Sequence, residues 1–273
     1  MRKLKLRKPV VAGQFYPSTA KEIKDQISAF IDKEAQKERA LACMLPHAGY
    51  VYSGRVAAQT VSRISLTDRI ILLGPNHTGK GEAFSIMPEG LWQTPLGDIE
   101  IDSGLANDLL NNSSFLKDDS LAHVDEHSLE VELPILQYFK TDFKIVPIAF
   151  QGENLDTLKK IGTELGSLLK KEDYLDSTMI IASSDMTHYE PQQDAKCKDD
   201  EAIQAILALD EDRLIERIAN LNISMCGYAP VIVMLTAVKL LGAKGAKLIN
   251  YQTSGDVTGD NESVVGYAGI VIN

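Results

Sequence analysis

Apolar and β-branched residues fall in short unbroken runs along this chain, and between the runs they recur every three or four positions. The first pattern belongs to buried strands and the second to helices with one apolar face. The runs predict strands over residues 41–45, 69–73, 84–87, 99–101, 144–149, 179–182, 247–252 and 264–271. The helical spacing covers 20–35, 53–63, 103–111, 127–138, 155–171, 194–207, 210–219 and 227–241. Strands that are continuously apolar must be covered on both sides. The alternation therefore predicts an α/β fold with a mixed, largely parallel sheet and helices on both faces. No Pro/Gly/Ser-rich or charge-blocked linker interrupts it, so residues 1–273 read as a single domain.

Composition adds mainly exclusions. Lys and Arg number 28 against 38 Asp and Glu, a formal net charge of −10, and so acidic a surface repels phosphate backbones and anionic headgroups. Nucleic acid and membranes are not expected as partners. The one basic cluster, Arg2, Lys3, Lys5, Arg7 and Lys8, alternates with apolar residues and reads as a solvated edge segment. No apolar run reaches the roughly 18 residues of a spanning helix, and 10–13 is too short for a signal-peptide core, which points to the cytoplasm. Three scattered cysteines without a C-x-x-C pair give no disulfide framework. Cys43, inside a strand, and Cys197, on a polar helix, read as inert.

The five histidines gain meaning from their places on this map. His47, His77 and His188 each lie just past the end of an expected strand, beside Gly, Pro or Asp. Open α/β sheets form their ligand crevices beyond the carboxyl ends of the strands. His127 is expected to open a helix, and His123 has no obvious inward role. Neutral imidazoles such as His47 and His77 are ligands for Fe(II), Zn(II), Cu and Ni, and a third ligand would come from elsewhere, with Asp185 and Cys226 as candidates. In Ser184-Asp185-Met186-Thr187-His188 the aspartate could orient the histidine or act as a base. Cys226 precedes the expected helix at Gly227, whose positive end would lower its thiol pKa. The segments Gly74-Pro75-Asn76-His77-Thr78-Gly79 and Gln252-Thr253-Ser254-Gly255-Asp256 offer clamps of flexible backbone and hydroxyls, but neither is a phosphate-binding fingerprint.

Six stretches in order carry a resemblance to a known family. They are residues 7–17 (RKPVVAGQFYP), Pro46-His47-Ala48-Gly49-Tyr50 with Ser53-Gly54, Gly74-Pro75-Asn76-His77, Glu126-His127-Ser128-Leu129-Glu130, residues 183–189 (SSDMTHY) and Cys226-Gly227. Together they resemble the Memo family almost from end to end. The resemblance implies a single α/β domain similar to the class III non-heme iron extradiol dioxygenases. By matching motif, His47, His77 and Cys226 look like metal ligands, with Cys226 standing where those dioxygenases have a carboxylate. His188 looks like the acid/base histidine, with Asp185 and His127 in the same cavity. The resemblance also implies a pathway shared with radical-SAM and AMMECR-type proteins.

Three functions fit these observations. One is a metal-dependent redox enzyme using Fe(II) or Cu, in preference to Zn, on a small molecule. Another is a binding or scaffold protein that takes a protein or peptide over a vestigial cavity. The last is a cysteine-dependent hydrolase in which Cys226 is the nucleophile, His188 its base and Asp185 the orienter.

Overall fold

A computed structural model describes residues 5–152, 154–171 and 174–273. In chain order its strands are β1 (Leu6–Arg7), β2 (Ala42–Leu45), β3 (Arg69–Pro75), β4 (Phe84–Ile86), β5 (Leu91–Thr94), β6 (Gly97–Glu100), β7 (Lys117–Asp118), β8 (Lys144–Phe150), β9 (Thr178–Ser183), β10 (His188–Glu190), β11 (Ala246–Thr253) and β12 (Val264–Ile272). The helices are α1 (Ala20–Phe30), α2 (Gly54–Ser62), α3 (Ser103–Asn112), α4 (Leu121–Val124), α5 (Leu133–Phe139), α6 (Leu155–Lys171), α7 (Gln192–Leu207), α8 (Glu211–Leu221), α9 (Tyr228–Leu241) and α10 (Gly255–Thr258).

The main sheet runs β10-β12-β2-β9-β3-β8-β4-β7, with β11 paired to β12 outside that path. Its centre, β2-β9-β3-β8, is parallel, and antiparallel pairs β12-β2 and β4-β8 flank it. The parallel strands are the unbroken apolar runs, buried along nearly their whole length because helices cover both faces of the sheet. A second sheet, β1-β5-β6, stands apart from the first.

The helices begin and end where local chemistry dictates. Thr19 caps α1 through the amide of Glu22, Asp102 caps α3 through Leu105, and Asp210 caps α8 through Arg213. Gly242, at φ +90°, takes the left-handed conformation that closes α9. Every residue of α9 from Ala229 to Val238 is buried, as expected of a helix that is apolar all round. It crosses α6 closely, since a Cβ on Gly162 would stand 2.7 Å from the Val233 carbonyl oxygen.

The largest departures from the sequence reading are local. Helix α1 ends at Phe30 rather than 35, where Ile31 turns to extended backbone. His127 does not open a helix, because residues 128–132 form turns and α5 starts only at Leu133. The cause is the glutamates. Glu126 accepts the amides of His127 and Ser128 on its own side chain, and Glu130 is drawn away to the amino-terminal segment. The basic start is also not a solvated edge throughout. Arg7 is 5% exposed and forms a buried ion pair with Glu130, with its guanidinium 4.4 Å from the Trp92 ring centroid.

Candidate metal centre

Strand order places the site. Strand β9 lies between β2 and β3, and all three run the same way, so their carboxyl ends open on one edge. His47 follows β2, His77 follows β3, and Ser183-Ser184-Asp185 finishes β9 between them. The two histidines therefore come from strands that are not neighbours and face each other across the end of β9.

Two glycines admit the remaining parts. A Cβ on Gly74 would lie 2.5 Å from Leu129 and 2.8 Å from the Ser128 hydroxyl, so only glycine lets the 126–131 loop press against β3. A Cβ on Gly227 would lie 2.2 Å from the Ser183 carbonyl oxygen, so only glycine lets the start of α9 approach β9 and deliver Cys226. Arg7 fastens the loop from behind. It donates from Nε to the His123 carbonyl at 3.0 Å and from Nη2 to the Glu126 carbonyl at 2.5 Å, besides pairing with Glu130. Glu130 in turn accepts the amides of Val10 and Val11 and the Tyr16 hydroxyl, the last at 2.6 Å.

The result is a convergence of His47, His77 and Cys226, whose ligand atoms all lie within 4.8 Å of one another. His47 Nε2 stands 3.4 Å from Cys226 Sγ. Two ligands on one tetrahedral ion, with bonds of roughly 2.0 to 2.3 Å, are separated by about 3.5 Å. The tautomers of both histidines are set by their neighbours. Ser183 Oγ donates to the Ser128 carbonyl at 2.8 Å, so it can only accept from His47 Nδ1, also at 2.8 Å. His77 Nδ1 donates to Glu126 Oε1 at 2.9 Å. In both rings the proton sits on Nδ1 and the Nε2 lone pair is left for a ligand, the arrangement metal-binding histidines show.

Glu126 is the residue that sequence reasoning quoted but gave no task. Its carboxylate accepts four N–H groups: the His77 amide at 2.5 Å, His77 Nδ1 at 2.9 Å, and the amides of His127 and Ser128 at 2.9 Å each. Burial alone would raise its pKa, but the hydrogen bonds from His77 and the Ser128 amide hold it down to about 2. The second convergence, His77 with Glu126 and His127, is thus a support for His77 whose carboxylate is already occupied. His127 stacks on His77 at 4.8 Å between ring centroids and meets Phe15 edge-on at 4.9 Å. Burial lowers its pKa, as it does far more strongly for His47.

Asp185 accepts the His47 amide at 2.8 Å, tying β2 to the end of β9. Burial raises its carboxyl to about 6. His188 donates from Nδ1 to the Ser224 carbonyl at 3.0 Å and lies within electrostatic reach of both His47 and Asp185. The hydrolase arrangement is not assembled. Cys226 faces His47 rather than His188, and no hydrogen bond joins His188 to Asp185 among the described residues. The expectation of a lowered thiol pKa fails as well, since burial, reinforced by the Asp185 charge, pushes the Cys226 thiol well up. A helix terminus contributes less than the loss of water around a thiolate. His123, far from lacking an inward role, is fully buried against Trp92, with its pKa lowered by burial to about 4. Cys43 is buried and Cys197 exposed, and neither enters the site.

A family model described as Memo-like protein matches residues 7–271. The chain belongs to the Memo family. The Memo chain is 42% identical over 287 residues to the MEMO1 family protein MJ0403 of Methanocaldococcus jannaschii, covering 98% of this chain and 99% of that one. It is 44% identical over 269 residues to MEMO1 family protein Mbar_A1422 of Methanosarcina barkeri, covering 98% and 100%. A MEMO1 family protein of Aquifex aeolicus is 40% identical over 272 residues, covering 98% and 99%. Among solved structures, the uncharacterized protein JW3007 from Escherichia coli K12 shares the fold, with a TM-score of 0.56 at 14% identity over 86% of the Memo chain and all of its own. No helix of the described residues is long and apolar enough to cross a membrane.

Proposed function

We propose that this Memo protein is a metal-dependent redox enzyme that holds Fe(II) or Cu on His47, His77 and Cys226. The observation that carries the reading is the convergence of ligand atoms of His47, His77 and Cys226 within 4.8 Å of one another, with both imidazoles locked by Nδ1 hydrogen bonds so that their Nε2 lone pairs are free. Imidazole and thiolate together suit Fe, Cu and Zn better than the hard cations Mg or Ca. A redox-active ion bound there would supply electron transfer to a small substrate or to O₂, as in the dioxygenase relatives that the sequence motifs suggest.

The chain's own groups have definable tasks. Ser183 and Glu126 orient the two imidazoles and Asp185 fixes His47 through its amide. His188 exchanges a proton at Nε2. Asp185, its carboxyl raised to about 6 by burial, is the second proton carrier near neutral pH. Cys226 gives up its thiol proton on binding a cation, since a coordinating thiol is deprotonated despite burial.

Anaerobic titration of the purified protein with Fe(II) and with Cu, followed by exposure to O₂, tests this. One equivalent should bind, His47→Ala and Cys226→Ser should each abolish binding, and the bound ion should change oxidation state reversibly. Failure of every metal to bind above background would remove the reading, and binding of a redox-inert ion only would remove its redox half.

A further inference from the structure

A separate cavity of about 410 Å³ opens between the start of β10, the end of β11 and the first residues of β12. Three tyrosines line it. Tyr267 is 2% exposed and forms the floor, while Tyr52 and Tyr189 are exposed to 39% and 78% and form the rim. Tyr267 lies within electrostatic reach of Tyr52, Tyr189 and the Asp185 carboxylate, which sets the cavity beside the candidate metal centre.

Tyr189 is placed there at a cost. Its φ is +59°, in the left-handed region that residues with a Cβ rarely adopt, and the register between β10 and β12 shifts at this residue. A bulge of this kind re-aims a side chain, and backbone strain of roughly 1 to 3 kcal/mol persists where the surroundings impose it. Here the strain sends an aromatic ring to the mouth of a cavity.

The wall has a definite charge character. Its polar members are hydroxyls such as Ser254 and Ser263 and the carboxylate of Asp260, with no Lys, Arg or His among them. Lys196, on neighbouring α7, is turned to Asp256 at 3.7 Å. Of the eight large hydrophobic side chains that are exposed among the described residues, Tyr52 and Tyr189 line this cavity, while Val51 and Val257 adjoin lining residues in the chain. A wall of three tyrosine rings, one carboxylate and no lining Lys, Arg or His disfavours anionic ligands and favours a cation, and the apolar rim suits a ligand with a hydrocarbon body.

We infer that the Tyr52, Tyr189 and Tyr267 cavity binds a small organic ammonium compound, the cationic head against the tyrosine rings and the Asp260 carboxylate, the hydrocarbon body along the rim. The inference uses different side chains from the metal centre and stands whether or not the protein binds metal.

Three probes with one ring and equal length separate charge from shape: phenethylammonium, 2-phenylethanol and phenylacetate. Each is titrated into the metal-free full-length protein and read by saturation-transfer NMR and calorimetry. Phenethylammonium is expected to bind about 10-fold more tightly than the alcohol, and phenylacetate more weakly than either. Tyr189→Leu, at an exposed position, should weaken the cation about 5- to 10-fold and the alcohol less than about 2-fold. Equal affinity for all three probes, preference for phenylacetate, or no saturable binding of phenethylammonium up to about 10 mM would overturn the inference. So would a Tyr189→Leu variant that, with an unchanged circular dichroism spectrum, binds the cation as wild type does.

Discussion

Replacing Glu126 by Gln removes a charge without removing a side chain, and of the three candidate ligands the one it hydrogen-bonds is His77. The carboxylate serves four N–H donors, three on Oε1 and the His77 amide on Oε2. A glutamine can keep one oxygen against the three donors, but its NH₂ group then faces the His77 amide, donor to donor. A hydrogen bond to a charged group contributes about 1.5 to 3 kcal/mol, and a buried donor left without an acceptor costs about 1 to 3 kcal/mol. Glu126 is 1% exposed, so water cannot substitute. The variant should therefore lose on the order of 2 to 4 kcal/mol of stability by urea unfolding of the metal-free protein. Its metal affinity should fall about 10- to 100-fold, the usual effect of losing the partner that orients a metal-binding histidine. Competition against a chromophoric chelator measures the affinity, and urea unfolding at neutral pH the stability. His127→Ala is the companion, since His127 supports rather than ligates and its loss should spare most of the affinity. Glu126→Gln binding metal within about 3-fold of wild type, with His127→Ala abolishing binding, would refute the assignment of roles.

Other expectations follow from the fold around the centre. Arg7→Met leaves Glu130 buried without its cation and should cost about 3 to 5 kcal/mol, with faster hydrogen exchange across residues 123–130 as the local sign; an unchanged melting temperature would contradict it. Gly227→Ala puts a Cβ within 2.2 Å of the Ser183 carbonyl oxygen and should destabilise by at least about 1 to 3 kcal/mol, seen as a lower urea midpoint. Asp199 accepts the Thr187 amide at 2.9 Å and the Tyr251 hydroxyl at 2.7 Å, and burial raises its carboxyl pKa above the ordinary range. A raised folded-state pKa means stability that is present at low pH and lost as pH rises through it. Asp199→Asn should therefore gain on wild type with rising pH and show no advantage below the ordinary carboxylate range; a stability difference independent of pH between 3 and 8 would dismiss this account.

Much of the scaffold was legible because its signals are local. The unbroken runs that became β3, β8 and β9 and the helical spacing of α6 over 155–171 agree with the structure nearly residue for residue. Placing His47 and His77 beyond strand ends was enough to gather them, since parallel strands end on a common edge. What the sequence hid depends on contacts distant in the chain. The 127–138 pattern has the apolar spacing of a helix, and only the capture of its first amides by Glu126 and of Glu130 by the amino-terminal segment prevents one there. The order β2-β9-β3 is invisible in a chain where β9 comes about a hundred residues after β3, so the gap between the two histidines could not be read. Arg7 looked solvated because its partner lies 123 residues away. The helix at Gly227 was seen correctly, but the burial that governs the Cys226 thiol is a property of the assembled site.

If two histidines and one cysteine share a metal ion, X-ray absorption at the metal edge reads all three ligands at once. Wild-type protein loaded anaerobically with one equivalent of Fe(II) or Cu should show one sulfur scatterer at about 2.3 Å and two imidazole nitrogens at about 2.0 to 2.1 Å. The sulfur should vanish in Cys226→Ser. A first shell of nitrogen and oxygen only in the wild type, or a sulfur that survives Cys226→Ser, would contradict the assignment of Cys226 as a ligand and with it the centre proposed here.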